Sequence, residues 1–185
     1  MKGAFIDRDG VIIEERGYAY RIDDFAPLPG AIAALRKLAA AGYKLIVVTN
    51  QSGIARGLYT EADYLAFTSH MQEQLAAQGV RLDAVEYCPH LPEAPILEYR
   101  RQCDCRKPKP AMIERSAARL GVDLSRSVLI GDRDTDIGAG RAAGVGRCFL
   151  VRSGERLSVD DEALADGVYA DLAECVGALL RGEAS

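Results

Sequence analysis

Asp7 and Asp9 stand two residues apart where the short apolar run Ala4-Phe5-Ile6 ends, with Gly10 directly after them. A buried strand ending at Asp7 delivers both carboxylates to the sheet edge at which open α/β folds bind ligands, and Gly10 lets the chain turn away. Carboxylates so placed can divide labour: one attacks or binds a metal, the other carries protons. Taken alone, the pattern is an ordinary charged turn. Two further apolar runs end alike: residues 44–49 run into Thr49, Asn50, Gln51 and Ser52, and residues 127–130 into Gly131 and Asp132, with Asp136 four positions on. Between them, Arg106 and Lys107 precede a helix expected from about Ala111. Parallel strands bring such ends to one edge. The collected set suits a divalent cation and a phosphate: Asp7 and Asp132 to hold Mg²⁺, Thr49 to donate to a phosphoryl oxygen, Lys107 to neutralise its charge.

The elements that must position these groups follow from periodicity and punctuation. After the first strand comes a polar loop, 14–24, with Tyr18, Tyr20 and Arg21, then a helix carrying Ile32, Leu35 and Leu38 that Gly42 is placed to end. Residues 44–49 are continuously apolar and β-branched, as in a strand covered on both faces. Thr60 with Asp63 reads as a capping box opening a helix to about Gln78, stopped by Gly79. A short strand is expected at 84–87, loop at 88–110, and a helix at 112–120. A strand follows at 127–130, then a helix at 134–143 weakened by Gly138 and Gly140. Strands at 147–151 and 168–169 and a last helix capped by Asp171 complete the pattern, with a frayed tail at 182–185. Strands alternating with helices predict an α/β fold: a single Rossmann-like domain over 1–185, its mainly parallel sheet flanked by helices joined by right-handed crossovers.

The chain has 185 residues, 49% hydrophobic and 27% charged, with a net charge of -4. That balance is ordinary for a globular protein and offers no basic footprint for nucleic acid. The apolar residues before Asp7 are too few for a signal peptide, and no later run reaches the length of a membrane span, so a cytoplasmic address is expected. Five cysteines are present, and Cys88, Cys103 and Cys105 crowd beside His90, which favours a metal site over disulfides. Cys148 and Cys175 lie in apolar segments and read as core residues; His70 reads as a helix-surface residue.

The motifs DRDG, TNQSG, RKPKP and GDRDTD, in this order and context, resemble the four motifs of the haloacid dehalogenase superfamily of aspartate-nucleophile phosphatases. The resemblance implies that Asp7 attacks phosphorus to form an aspartyl-phosphate. It implies that Asp9 protonates the leaving oxygen and then activates water. Mg²⁺ would be held by Asp7, the main-chain carbonyl of Asp9, and Asp132, with Asp136 orienting the site. CPHLPEAP, QCDCRKPKP and TNQSGIARG carry a closer similarity, over most of residues 5–154, to the D,D-heptose 1,7-bisphosphate phosphatase family and the related histidinol-phosphate phosphatases. In that family the residues matching Cys88, His90, Cys103 and Cys105 bind a structural zinc. Three thiolates and an imidazole suit a closed tetrahedral site, which would tether a zinc-binding loop at about 88–110.

The segment between the first two motifs is too short for a large cap, so a capless, open site is expected, with a small phosphorylated sugar selected by loops. Candidate substrate contacts are Tyr18, Asn50, Gln51, Ser52, Arg56, Arg106 and Arg133. The reading is a Mg²⁺-dependent phosphomonoesterase removing the 7-phosphate of a heptose 1,7-bisphosphate in nucleotide-activated heptose and lipopolysaccharide core biosynthesis, acting as a monomer. GDRDTD and CPHLPE lean instead toward histidinol phosphate. A phospho-acceptor receiver domain also gathers aspartates, Thr and Lys around Mg²⁺, but lacks an acid/base carboxylate two residues after its acceptor.

Overall fold

A computed structural model describes residues 1–182; apart from Gly182, which ends the last helix, the tail expected at 182–185 lies outside the described residues. Six strands, β1 (Lys2–Ile6), β2 (Tyr43–Asn50), β3 (Ala84–Cys88), β4 (Val128–Gly131), β5 (Arg147–Val151) and β6 (Gly167–Tyr169), form one sheet in the order β3-β2-β1-β4-β5-β6. Every pairing is parallel. The chain winds outward from β1 through β2 to β3 and then returns to β4 on the other side. The switch point therefore lies between β1 and β4, where a parallel sheet opens a crevice for ligand. Asp7 and Asp132 follow those two strands.

The continuous apolar runs are explained by burial on both faces. Ala4, Ile6, Leu45, Val47 and Ile130 pack with Leu35 and Leu38 of α1 (Ala31–Ala40), Phe67, Met71 and Leu75 of α3 (Glu61–Ala77), and Val176 and Leu179 of α7 (Leu172–Arg181). The alternate residues Phe5, Ile46, Val48 and Leu129 meet Met112, Ile113 and Ala117 of α4 (Ala111–Leu120) and Ile137 of α5 (Asp134–Ala143). Each Val, Leu, Ile, Phe or Met among them contributes roughly 1.5–3 kcal/mol by leaving water. Cys148 and Cys175 are buried one in each layer, as expected of core residues. His70 is half-buried, edge-on to Phe25 at 5.8 Å.

Helix ends follow the punctuation in the sequence. Thr60 accepts from the Asp63 amide while Asp63 returns a bond to Thr60, which fixes the start of α3. Two short helices depart from the expected pattern. Residues 51–56, for which the periodicity predicts no element, contain the single turn α2 (Ser52–Ala55), formed because Ile54 buries against Tyr59 and Tyr64. The second, α6 (Val159–Ala163), is capped by Ser158 and buries none of its residues, so it leaves no hydrophobic period to read. Between β1 and β2 lie only a 3-10 turn (Ile22–Asp24) and α1, and that segment supplies no cap over the sheet edge. Among the described residues no helix is long and apolar enough to cross a membrane.

Candidate active site

The C-terminal ends of β1, β2 and β4 surround a cavity of about 420 Å³ that Asp7, Asp9, Thr49, Lys107 and Asp136 all line. Asp7 is held by its amide bonding to Ile130 O at 3.0 Å, which locks the end of β1 to β4. After Asp9 the chain reverses at Gly10, whose φ of +77° is in the left-handed region; an added Cβ there would meet Asp132 Oδ2 and Gly154 Cα, each at 2.6 Å. Lys107 arrives from the loop before α4 with its ammonium 2.9 Å from Asp7 Oδ1, 2.5 Å from Asp136 Oδ1 and 2.8 Å from Val48 O. Burial opposes that charge, yet Asp136 and then Asp7 outweigh it and hold Lys107 above the ordinary lysine range.

Asp136 both lines the cavity and holds the backbone, whereas Asp132 is not among the residues that line it. Asp136 Oδ2 accepts from the amides of Asp132 and Arg133, capping α5 and fixing the end of β4. Asp132 is sealed from solvent; its Oδ2 accepts from Glu155 N at 2.9 Å, and its Oδ1 has no hydrogen-bond partner among the described residues. Burial first, then Asp7 and Asp136, push the Asp132 carboxyl up to about 8. Oxygens of Asp7, Asp132 and Asp136 lie within 4.8 Å of one another. Clustered carboxylates with one orphaned buried oxygen fit a hard divalent cation, which would remove the repulsion that raises Asp132.

The second metal-ligand group is built by the loop after β3. Sγ of Cys88 lies 3.0 Å from that of Cys105 and 3.5 Å from that of Cys103, and His90 Nδ1 lies 3.4 Å from Cys105 Sγ. These spacings approach the ~3.7 Å tetrahedral edge implied by Zn–S bonds near 2.3 Å, so the four residues can converge on one zinc. Directly after Cys105 the chain reaches Arg106 and Lys107, so the cluster anchors the loop that carries them.

The expected substrate contacts separate into two groups. Tyr18, Ser52, Arg106 and Arg133 line the cavity. Arg133 is already paired with Glu155 at 2.8 Å and Glu15 at 3.4 Å, whereas Arg106 makes no ion pair among the described residues and only donates to His90 O at 3.4 Å. Asn50 and Gln51 also border the cavity, but their amides serve the protein. Asn50 exchanges two hydrogen bonds with the Lys107 backbone at 3.0 and 3.1 Å. Gln51 donates to Asp9 at 3.1 Å and Thr49 at 2.8 Å, and accepts from Arg8 at 3.2 Å and Tyr59 at 2.6 Å. Arg56 corrects the sequence reading: it ends α2, is exposed, and lies outside the cavity lining because that helical turn carries it past the edge. Sequence reasoning missed Arg8, Tyr59, Glu15 and Glu155. An arginine set between the two aspartates was a readable signal; the other three converge only through the fold.

Fold and site together define a phosphohydrolase of the haloacid dehalogenase type. Residues 4–82 match the family model for haloacid dehalogenase-like hydrolases, and residues 104–175 a second one described as HAD-hydrolase-like. The chain is 45% identical over 177 residues to the D-glycero-beta-D-manno-heptose-1,7-bisphosphate 7-phosphatase of Salmonella typhi, covering 96% of this chain and 94% of that protein. It is 42% identical over 162 residues to the corresponding alpha-anomer enzyme of Photorhabdus laumondii, covering 88% of each. The crystal structure of the D,D-heptose 1,7-bisphosphate phosphatase from B. bronchiseptica, complexed with magnesium and phosphate, superposes with a TM-score of 0.82 at 33% identity, over 98% of this chain and 99% of that one. This chain belongs to the heptose 1,7-bisphosphate 7-phosphatase family of haloacid dehalogenase-like hydrolases.

Proposed function

We propose that residues 1–185 act as one phosphatase domain that hydrolyses the 7-phosphate of D-glycero-D-manno-heptose 1,7-bisphosphate, supplying nucleotide-activated heptose for lipopolysaccharide core synthesis. In this reading an Asp7 oxygen bonds to phosphorus as the bond to the sugar oxygen breaks, and Asp9 gives that oxygen its proton. Water then bonds to phosphorus as the Asp7 oxygen leaves, and the Asp9 carboxylate takes the proton of the water. Thr49 and Lys107 stabilise charge on the equatorial oxygens. Asp7, the carbonyl of Asp9 and Asp132, oriented by Asp136, would hold a Mg²⁺, which when bound supplies further neutralisation of the phosphoryl oxygens. Cys88, His90, Cys103 and Cys105 would hold a structural zinc. The enzyme works as a monomer in the cytoplasm.

The observation that carries the substrate assignment is the charge of the cavity beyond the reacting end. Arg106 is a cation without an ion-pair partner among the described residues, whereas Arg133 is shared between Glu15 and Glu155. A second phosphate suits the unpaired Arg106 at that wall, and the relatives named above act on heptose bisphosphates. Tyr18 and Ser52 complete the wall that the sugar would contact. The test is phosphate release with Mg²⁺ from both anomers of the bisphosphate, from heptose 7-phosphate and from histidinol phosphate. Preference for a bisphosphate, with its KM raised by Arg106→Ala and that of the monophosphate unchanged, supports the reading. Preference for histidinol phosphate overturns it.

A further inference from the structure

An arginine is among the residues least readily taken out of water, yet Arg8 is 1% exposed. Extended backbone would send neighbouring side chains to opposite faces, but the turn that begins here, with Ile12 N and Ile13 N both bonding to Arg8 O, brings Arg8 back onto its neighbour. Its Nε lies 3.1 Å from Asp9 Oδ2 and its Nη2 3.0 Å from Asp9 Oδ1, a two-pronged pairing. This is the only ion pair Arg8 makes among the described residues. The guanidinium lies over the Phe67 ring at 4.9 Å, with Nη2 also donating to Ala19 O at 3.0 Å, so α3 and the loop at Ala19 fix its plane. The Asp9 carboxylate stays 19% exposed and borders the cavity.

A second support reaches Asp9 from β2. Gln51 donates to Asp9 through Nε2, and its Oε1 is claimed by Tyr59 O–H at 2.6 Å and by Arg8, which fixes the amide with its donors toward Asp9. Burial pushes the Tyr59 hydroxyl far above the ordinary phenol value, so it remains a donor at every working pH. We propose that Arg8, seconded by Tyr59 through Gln51, is a positioning residue that sets the Asp9 carboxyl in the orientation from which it delivers a proton to the leaving oxygen. This rests on the acid/base role of Asp9 given above. A paired cation not needed for this would be a net burden to the fold, since burying an ion pair commonly stabilises no better than apolar packing. Lysine can substitute only in part, because it keeps the charge but lacks the planar fork.

The experiment exploits leaving groups. A sugar alkoxide must be protonated as it departs, whereas p-nitrophenolate leaves without help. Steady-state constants are measured for the heptose bisphosphate and for p-nitrophenyl phosphate, using the zinc-containing full chain and its Asp9→Asn, Arg8→Met, Arg8→Lys, Tyr59→Phe and Arg8→Met/Asp9→Asn variants. Arg8→Met is expected to lower kcat for the sugar substrate by about 100-fold, the scale of one positioned proton donor. The loss should be at least tenfold larger than for the aryl substrate, with KM little changed, partial recovery in Arg8→Lys, and no further loss in the double variant over Asp9→Asn. Equal losses on both substrates, or losses that multiply in the double variant, mean that Arg8 only supports the fold and overturn the proposal. Should Arg8→Met not fold, Tyr59→Phe decides: a smaller loss confined to the sugar substrate supports the proposal, and no selective loss overturns it. An Asp9→Asn enzyme that shows no leaving-group selectivity rejects the acid/base assignment itself, and the inference with it.

Discussion

Lys107 Nζ lies 2.5 Å from Asp136 Oδ1 with both side chains buried, so the cation that pairs with Asp7 is also the counter-charge of a buried carboxylate. Lys107→Met therefore has two expected effects. Activity falls by about 10²–10³ or more, as when one preorganised donor to a reacting oxyanion is removed. Stability falls by up to about 3–5 kcal/mol, because a buried carboxylate loses its partner. Protonating Asp136 relieves that loss, so the variant is closest to wild type at low pH and most destabilised as pH rises. Urea unfolding at pH 5.5 and 8 checks this; an equal deficit at both values contradicts it.

Asp7→Asn retains shape and removes the proposed nucleophile. Turnover is expected to vanish while the melting temperature holds or rises, since one of three crowded carboxylates is neutralised. Acid quenching of wild type with labelled substrate should trap phosphate on Asp7. Phosphate release by Asp7→Asn rules out the covalent route.

The carboxyl of Asp132 is pushed up to about 8 from an ordinary 3.8, by burial first and then by Asp7 and Asp136. A folded value above the unfolded one gives the metal-free protein a contribution to stability that is complete below about pH 4 and is lost as pH climbs through 8. Mg²⁺ needs the ionised form, so its affinity should tighten by up to about tenfold per pH unit between pH 6 and 8, with proton release on binding. Titration calorimetry in buffers of different ionisation heat measures both. A dissociation constant flat across that range would show that Asp132 is not a ligand.

Metal analysis of unchelated protein is expected to find about one zinc per chain. Removing it, or replacing Cys105 by Ser, should lower the melting temperature and also the activity, because Arg106 and Lys107 follow the cluster directly. Active protein containing no zinc removes the site from consideration.

Gly154, just after β5, approaches Asp132 so closely that a Cβ would stand 2.0 Å from its Oδ2. Gly154→Ala is expected to displace that carboxylate. The expected result is a 10–100-fold weaker Mg²⁺ requirement constant, the range seen when the support of a metal ligand is disturbed. Unchanged Mg²⁺ dependence would mean that the loop, and not Asp132, yields.

Much of this molecule was legible in one dimension because its signals are local. The runs at 44–49 and 147–151 are apolar without alternation, and only a strand covered on both faces accommodates that, as β2 and β5 do. Thr60 and Asp63 cap a helix with each other and need no distant partner. Single turns such as α2 and α6 hold little more than one helical period and so leave no recurrence to detect. The sequence by itself determined which residue types stand at the ends of the central strands, and with them the class of chemistry. Only the tertiary structure decided which charges are already paired: Arg133 is held by Glu15 and Glu155, Arg106 has no ion-pair partner among the described residues, and Asn50 is bound to Lys107 across 57 residues. Those outcomes depend on where the crossovers bring distant side chains and which way each one points, and no spacing along the chain encodes either.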